Sequence, residues 1–192
     1  MIINPAQRIA QVEEYYFSKK LAQIADLNSK GMDVLNLGIG SPDQAPHESV
    51  IDALSASASN AQNHGYQSYR GLPELRAALA RFYNHNYGVS LDPENEILPL
   101  IGSKEGIAHV SMAFLDPGDR VLVPDPGYLA YGAAAKLAGA EVEKYSLLGP
   151  SWEPNWEALN GMDWSSIKLW WVNYPHMPTG QKASLEKFEK IN

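Results

Sequence analysis

Apolar positions along this chain follow two periods, and the switches between them predict alternating helices and strands. Asn4-Pro5-Ala6-Gln7 has the residues of a helix start: Asn as cap, Pro in the first turn, Gln reaching back. Phe17, Leu21 and Ile24 then share one helical face, and Gly31 supplies a stop. Residues 33–37 read as a short strand, and Val50, Leu54 and Ala58 as a second helix. Pro73 opens a third helix through Leu75, Leu79 and Phe82, which Gly88 closes. From there the alternation is regular. Strands are expected at 97–101, 120–123, 141–145 and 167–172. Helices are expected at 104–115, with Ile107, Val110 and Phe114 inward, at 128–137, and from Ser184 onward. Asp116-Pro117-Gly118-Asp119 is a turn, and residues 149–164 are loop-rich with a short helix near Trp156. Strands alternating with helices predict an α/β fold with a mixed, mostly parallel sheet flanked by helices.

Composition changes this picture little. The chain has 192 residues, 45% hydrophobic and 19% charged, the profile of a globular domain with a core of its own. A net charge of −7 and a pI near 5.2 argue against a nucleic-acid or anionic-membrane partner. There is no cysteine, so disulfides, thiolate metal sites and cysteine nucleophiles are excluded. The N-terminus lacks a basic-then-apolar leader, and no apolar run approaches the roughly 20 residues of a membrane span. The expected location is the cytoplasm. The five histidines (47, 64, 85, 109 and 176) lack metal-ligand spacing, and no G-x-S-x-G elbow is present. The five tryptophans read as core or interface residues rather than a base-stacking platform.

Five stretches stand out beyond the pattern. Gly38-Ile39-Gly40-Ser41-Pro42-Asp43 leaves the first strand, but Asp43 stands where a dinucleotide loop needs its third glycine. By itself it is a tight turn. Gly65-Tyr66-Gln67-Ser68-Tyr69-Arg70-Gly71-Leu72-Pro73-Glu74-Leu75-Arg76 is a loop and a helix start. Gly102-Ser103-Lys104-Glu105-Gly106 joins a strand to a helix, and a helix start offers unpaired N–H groups and partial positive charge to a phosphate. Ser103 as a simple N-cap explains the same residues. The loop lacks the G-K-[ST] ending of a Walker A motif. Asp125-Pro126-Gly127-Tyr128 follows a strand, with Tyr128 either a ligand-stacking ring or the first core residue of the next helix. Asn173-Tyr174-Pro175-His176-Met177-Pro178-Thr179-Gly180 is a turn stiffened by two prolines at the end of a buried strand.

Together these stretches, in this order, resemble the class I/II aminotransferases, the fold-type-I enzymes that use pyridoxal 5'-phosphate (PLP). The last resembles their N-P-x-N-P-T-G signature, the second their Y-x-x-x-x-G-x-x-x-L-R, and Gly40 matches the glycine of their G-x-P-D. The resemblance spans roughly residues 33–180 and implies a PLP-dependent transferase-like large domain. Residues 1–45 are then expected to contribute to a small domain and active-site cover, and residues 46–192 to form the N-terminal part of the large domain. It also implies transfer of an amino group between an amino acid and a 2-oxo acid, in a homodimer with active sites at the interface. A PLP lyase of the same fold and a non-catalytic PLP-fold sensing domain are the alternatives.

Residue by residue, the resemblance implies that Ser103 and Lys104 donate backbone N–H groups to the PLP phosphate and that Tyr128 stacks on the pyridine ring. Tyr66, with Tyr69 as a rival, would reach the phosphate of the neighbouring subunit, and Gly40 would approach the substrate carboxylate. Met177 takes the place of the signature's asparagine, which in the family faces the cofactor's phenolic oxygen. The lysine that carries the cofactor is expected beyond residue 192. Lys104, Lys136 and Lys168 follow no matching motif for it, so no catalytic residue is assigned within the chain, and no metal. Phe188 to Asn192 end inside a predicted helix, so the chain is expected to be truncated.

Overall fold

The computed structural model describes residues 3–10, 14–40 and 42–191. The chain divides into two units, Met1–Glu13 with Ile101–Asn192, and Glu14–Leu100. The first carries the sheet. Its strands are β1 (Arg120–Asp125), β2 (Glu141–Leu148), β3 (Glu153–Pro154) and β4 (Ile167–Trp170), in the order β3-β2-β1-β4. β1 runs parallel to both β2 and β4, and β3 pairs antiparallel with β2. The mixed, mostly parallel sheet expected from the sequence is therefore present.

Both faces of β1 are covered, which is why its sequence is a continuous apolar run rather than an alternation. Val121 and Val123 point to one face, where Ile107, Leu115, Tyr131, Ala134, Ala135 and Ala140 join them. Leu122 points to the other and packs with Tyr145, Leu147 and Leu159. A fully buried leucine such as Leu122 contributes about 1.5–3 kcal/mol. On that second face Arg120 pairs with Glu143 on the neighbouring strand and with the Ser166 hydroxyl.

The first face is covered by α5 (Ser103–Phe114) and α6 (Leu129–Ala138), which pack on each other. On α5 the buried residues are Ile107 and Ser111, and the C-cap residue Leu115 continues that i, i+4, i+8 ridge. Phe114, expected inward, flanks that ridge at the helix end and is 62% exposed. α6 ends at Gly139, whose φ of 89° is the left-handed conformation of a helix stop. The loop-rich stretch after β2 holds α7 (Trp156–Asn160), and α8 (Leu185–Ile191) closes the described chain. The strand expected at 167–172 stops its ladder at Trp170, although the Trp171 N–H still donates to Leu122 O at 2.9 Å.

N-terminally, α1 (Gln7–Ala10) precedes residues 11–13, which lie outside the described residues. The second unit contains α2 (Tyr16–Ser29), α3 (Glu48–Ser59) and α4 (Pro73–Tyr87). Pro73 occupies the first turn of α4, and Gly88 caps its end at φ 67°. The buried residue of α4 is Arg76 rather than its leucines.

Two expected strands are absent among the described residues. Residues 33–37 pair with no strand: the Val34 N–H goes to the Asn28 side chain at 2.5 Å, and Asp33 takes φ 44°. Residues 97–101 also lack a ladder, and the Ile101 N–H is taken by the Glu105 carboxylate at 2.7 Å. An apolar run becomes a strand only where another strand meets its backbone groups.

Candidate functional site

Because β1, β2 and β4 run parallel, their carboxyl ends share one edge of the sheet, where open α/β sheets take their ligands. β1 leaves that edge through Asp125-Pro126, a cis peptide bond, then Gly127 and Tyr128. Gly127 is dictated by space. A Cβ there would overlap the Pro124 carbonyl oxygen and come within 2.8 Å of Pro124 Cγ. Tyr128 is the N-cap residue of α6 and packs half-buried against the first core cluster. Its ring meets Tyr131 edge-on at 5.7 Å, and Tyr131 stacks on Trp171, the residue after β4, at 4.9 Å. This aromatic series ties the loop leaving β1 to the chain leaving β4. Burial, then the nearby Tyr128, pushes the Tyr131 phenol up.

The N-terminus of α5 belongs to the same unit. Its N-cap is Gly102, in extended conformation, so no cap side chain occupies the helix end. Ser103 is therefore the first helical residue and not the cap. Glu105 instead folds back onto the Ile101 N–H, and its other carboxylate oxygen lies 3.4 Å from His109 Nε2. The Ile101 N–H, and after it His109, hold the Glu105 carboxyl below the usual carboxylate range. The Lys104 ammonium stands 6.0 Å from the centre of the Tyr128 ring. A helix N-terminus, a cation and a flat ring are thus assembled, a set suited to a phosphate monoester attached to an aromatic ring.

The proline turn after β4 is held by its own polar groups. The Met177 N–H donates to Asn173 Oδ1 at 2.9 Å, the Gly180 N–H to His176 O at 2.6 Å, and the His176 N–H to Gln181 O at 2.7 Å. His176 Nδ1 lies 2.9 Å from Thr179 Oγ1. The Tyr174–Pro175 and Met177–Pro178 bonds are cis, and Gly180 takes φ 74°. The imidazole of His176 is 3% exposed, and burial, then the Lys187 charge, lowers its pKa. Lys187 is buried too, paired with Glu153 at 2.6 Å and 4.8 Å from the Tyr174 ring. Met177 is 53% exposed. The latch made by His176 and Thr179 went unread in the sequence. Its signal was a histidine and a threonine three residues apart across a proline.

Gly40 and Tyr66 belong to the unit of residues 14–100. Gly40 lies in open space, so nothing within 4 Å would meet a Cβ there. Tyr66 is 90% and Tyr69 92% exposed, on the loop before α4. Of the residues singled out, the structure thus brings Lys104 and Tyr128 together beside Ser103, and it sets Met177 on the neighbouring turn. Among the described residues no group of three His, Cys, Asp or Glu side chains is placed to hold a metal, and no helix is long and apolar enough to cross a membrane.

Fold and site together define an α/β protein with a helix N-terminus, a lysine and aromatic rings gathered at the open edge of a mostly parallel sheet. The model for aminotransferase class I and II matches residues 32–192, and the chain belongs to that family. Its members are PLP-dependent enzymes. The chain is 42% identical over 187 residues to an LL-diaminopimelate aminotransferase of Dehalococcoides mccartyi, covering 97% of this chain and 48% of the relative. It is likewise 42% identical to one of Moorella thermoacetica, with 98% and 49% covered. Among solved structures, substrate-bound BacF of Bacillus subtilis superposes with a TM-score of 0.89 at 31% identity, covering 100% of this chain and 48% of that one. A Thermus thermophilus aspartate aminotransferase mutant gives 0.88 at 28%, covering 99% and 50%. The chain spans about half the length of the curated relatives it matches.

Proposed function

We propose that this chain provides the cofactor-phosphate side of a PLP-dependent aminotransferase, which moves an amino group between an amino acid and a 2-oxo acid. The observation that carries this reading is the Lys104 ammonium beside the Tyr128 ring at the glycine-started N-terminus of α5. When bound, PLP supplies an electron sink for bond breaking at the amino acid's α-carbon. The first-turn N–H groups at Ser103 and Lys104 would hold its phosphate, and Tyr128 would lie against its ring, fixing the plane in which electrons are delocalised. Met177 would meet the cofactor with a thioether, which donates no hydrogen bond. Gly40 would let the backbone approach the substrate carboxylate, and Tyr66 would serve the phosphate of a second subunit.

In this reading residues 1–45 contribute a small domain and cover, residues 46–192 belong to the large domain, and the working form is a cytoplasmic homodimer. LL-diaminopimelate is the proposed amino donor, because relatives 40–42% identical to this chain carry that name. Titration of the 192-residue chain with PLP, followed by tryptophan fluorescence, tests the cofactor site. Saturable binding weakened about fivefold by Tyr128→Ala is expected, the size of one aromatic stacking contact. Binding that ignores both Tyr128→Ala and Lys104→Ala would remove the site. The donor is tested separately, by amino transfer from LL-diaminopimelate to 2-oxo acids in a protein of the relatives' length. Preference for another amino acid would overturn the substrate alone.

A further inference from the structure

The loop that presents Tyr66 and Tyr69 has almost no packing of its own, since residues 61–70 are exposed throughout. It is nevertheless tied down at its C-terminal end. The Gly71 N–H closes a turn onto Ser68 O at 2.9 Å, and Gly71 takes φ 76°. Behind that turn lies the side chain of Arg76, one turn into α4 and 4% exposed. An arginine carries five N–H donors in a rigid fork, and all five of Arg76 are used. Nη1 donates to Arg70 O at 3.2 Å and Gly71 O at 2.7 Å, and Nε donates to Pro93 O at 2.8 Å. Nη2 meets both oxygens of the Glu94 carboxylate, at 2.9 and 3.0 Å. Glu94 also lies 3.7 Å from the Arg70 guanidinium. The Glu94 N–H is in turn fixed by Asp92 Oδ1 at 2.8 Å.

We infer that Arg76 is a positioning residue, which clamps the end of the 65–71 loop to the 92–94 turn so that the Tyr66 and Tyr69 phenols are held facing outward. The inference rests on the reading that Tyr66 meets the cofactor phosphate, and it adds what holds Tyr66 in place. A buried arginine placed merely to fill space would leave donors unpaired, at a cost. Here three of the five donors reach main-chain carbonyls, two of them on the loop itself, so the clamp fixes backbone and not only side chains. A lysine has the charge but not the fork, and it reaches at most three acceptors from one point. The Tyr66 phenol, raised by the adjacent Tyr69 hydroxyl, reports on the held geometry.

The test uses Arg76→Lys, the milder Glu94→Gln, and Arg81→Lys as a control on the same helix. Trypsin cuts after Arg70, whose carbonyl the clamp holds, so cleavage at Arg70–Gly71 reads the loop directly. Arg76→Lys is expected to speed that cut about tenfold, with Glu94→Gln intermediate and Arg81→Lys without effect. In the same variants the Tyr66 ring-carbon NMR titration should move back toward that of an ordinary tyrosine. In the PLP-loaded protein, Arg76→Lys should raise the cofactor Kd several-fold in the parent but not in a Tyr66→Phe background, because the two changes remove the same contact. Unchanged cleavage and an unchanged Tyr66 titration in a folded Arg76→Lys protein overturn the clamp. Loosening of the loop with no effect of Tyr66→Phe on the Kd overturns the role of Tyr66 in the cofactor site while leaving the clamp standing.

Discussion

Single residues decide most of the geometry at the sheet edge. Gly127 tolerates no side chain, so Gly127→Ala should force the β1 exit loop apart and cost about 1–3 kcal/mol. Urea unfolding of the variant measures this, and a loss under a few tenths would mean the loop relaxes freely. His176 gives a pH effect of definite sign. Its folded pKa lies below the ordinary value of about 6.5, so the unfolded chain takes up a proton first as pH falls. Stability from the buried neutral ring is therefore complete above the ordinary value and is lost as pH falls from there through the depressed one. Unfolding midpoints at pH 7.5, 6 and 5 should drop stepwise in the parent and less steeply in His176→Asn, which keeps a polar atom near Thr179. Parallel curves would place the titrating group elsewhere. Tyr128 was legible as a candidate because it sits between β1 and α6, and Lys104 because it opens α5, although the strand expected before it does not form. The Arg76 clamp was not, since its partners lie 5, 6, 17 and 18 residues away, and only folding names them.

At the scale of elements, the start of α5 carries the most chemistry in the least sequence. Its cap is a glycine, and the helix end is tied instead by Glu105 reaching back to Ile101. The folded pKa of Glu105 is lowered, so this tie is present above the ordinary carboxylate value and is lost as pH falls through the lowered one. Glu105→Gln should lower the exchange protection of the Ile101 amide at neutral pH and leave that protection insensitive to acid down to the carboxylate range. Exchange matching the parent at neutral pH would show that the carboxylate does not hold the turn. α4 offers a cleaner test. Gly88 sits at φ 67°, so Gly88→Ala should cost about 1 kcal/mol in thermal or urea unfolding. No change would mean the helix end frays without it. Helices from α3 onward were read well because their caps and periods are local, whereas Asn4 and Pro5 precede α1 instead of opening it. The strands at 33–37 and 97–101 were misread because an apolar run states a wish for burial and not the presence of a partner.

For the whole molecule, exposed apolar surface is the informative quantity. Large apolar side chains are exposed in both units. Leu35, Leu37, Leu54, Ile101 and Phe114 are among the exposed apolar side chains. The 192-residue chain should therefore bind an apolar dye such as ANS and self-associate at micromolar concentration. Sedimentation velocity giving a dye-silent monomer would show that these side chains are covered in solution.

By itself the sequence determined the family, the order of elements around β1 and the residue types at the sheet edge. These follow from short-range facts: glycines at tight turns, a glycine before a helix start, apolar runs on a strand covered on both faces. Only the tertiary structure decided which apolar runs became strands, which face of α5 was buried, and which polar groups joined across distance. Arg76 with Glu94, Lys187 with Glu153 and Lys104 with Tyr128 are such pairs. The physical reason is that period and capping are set by neighbours within a few residues. Hydrogen bonds to a buried charge, and the partner a strand needs, come from chain segments whose approach no local pattern specifies.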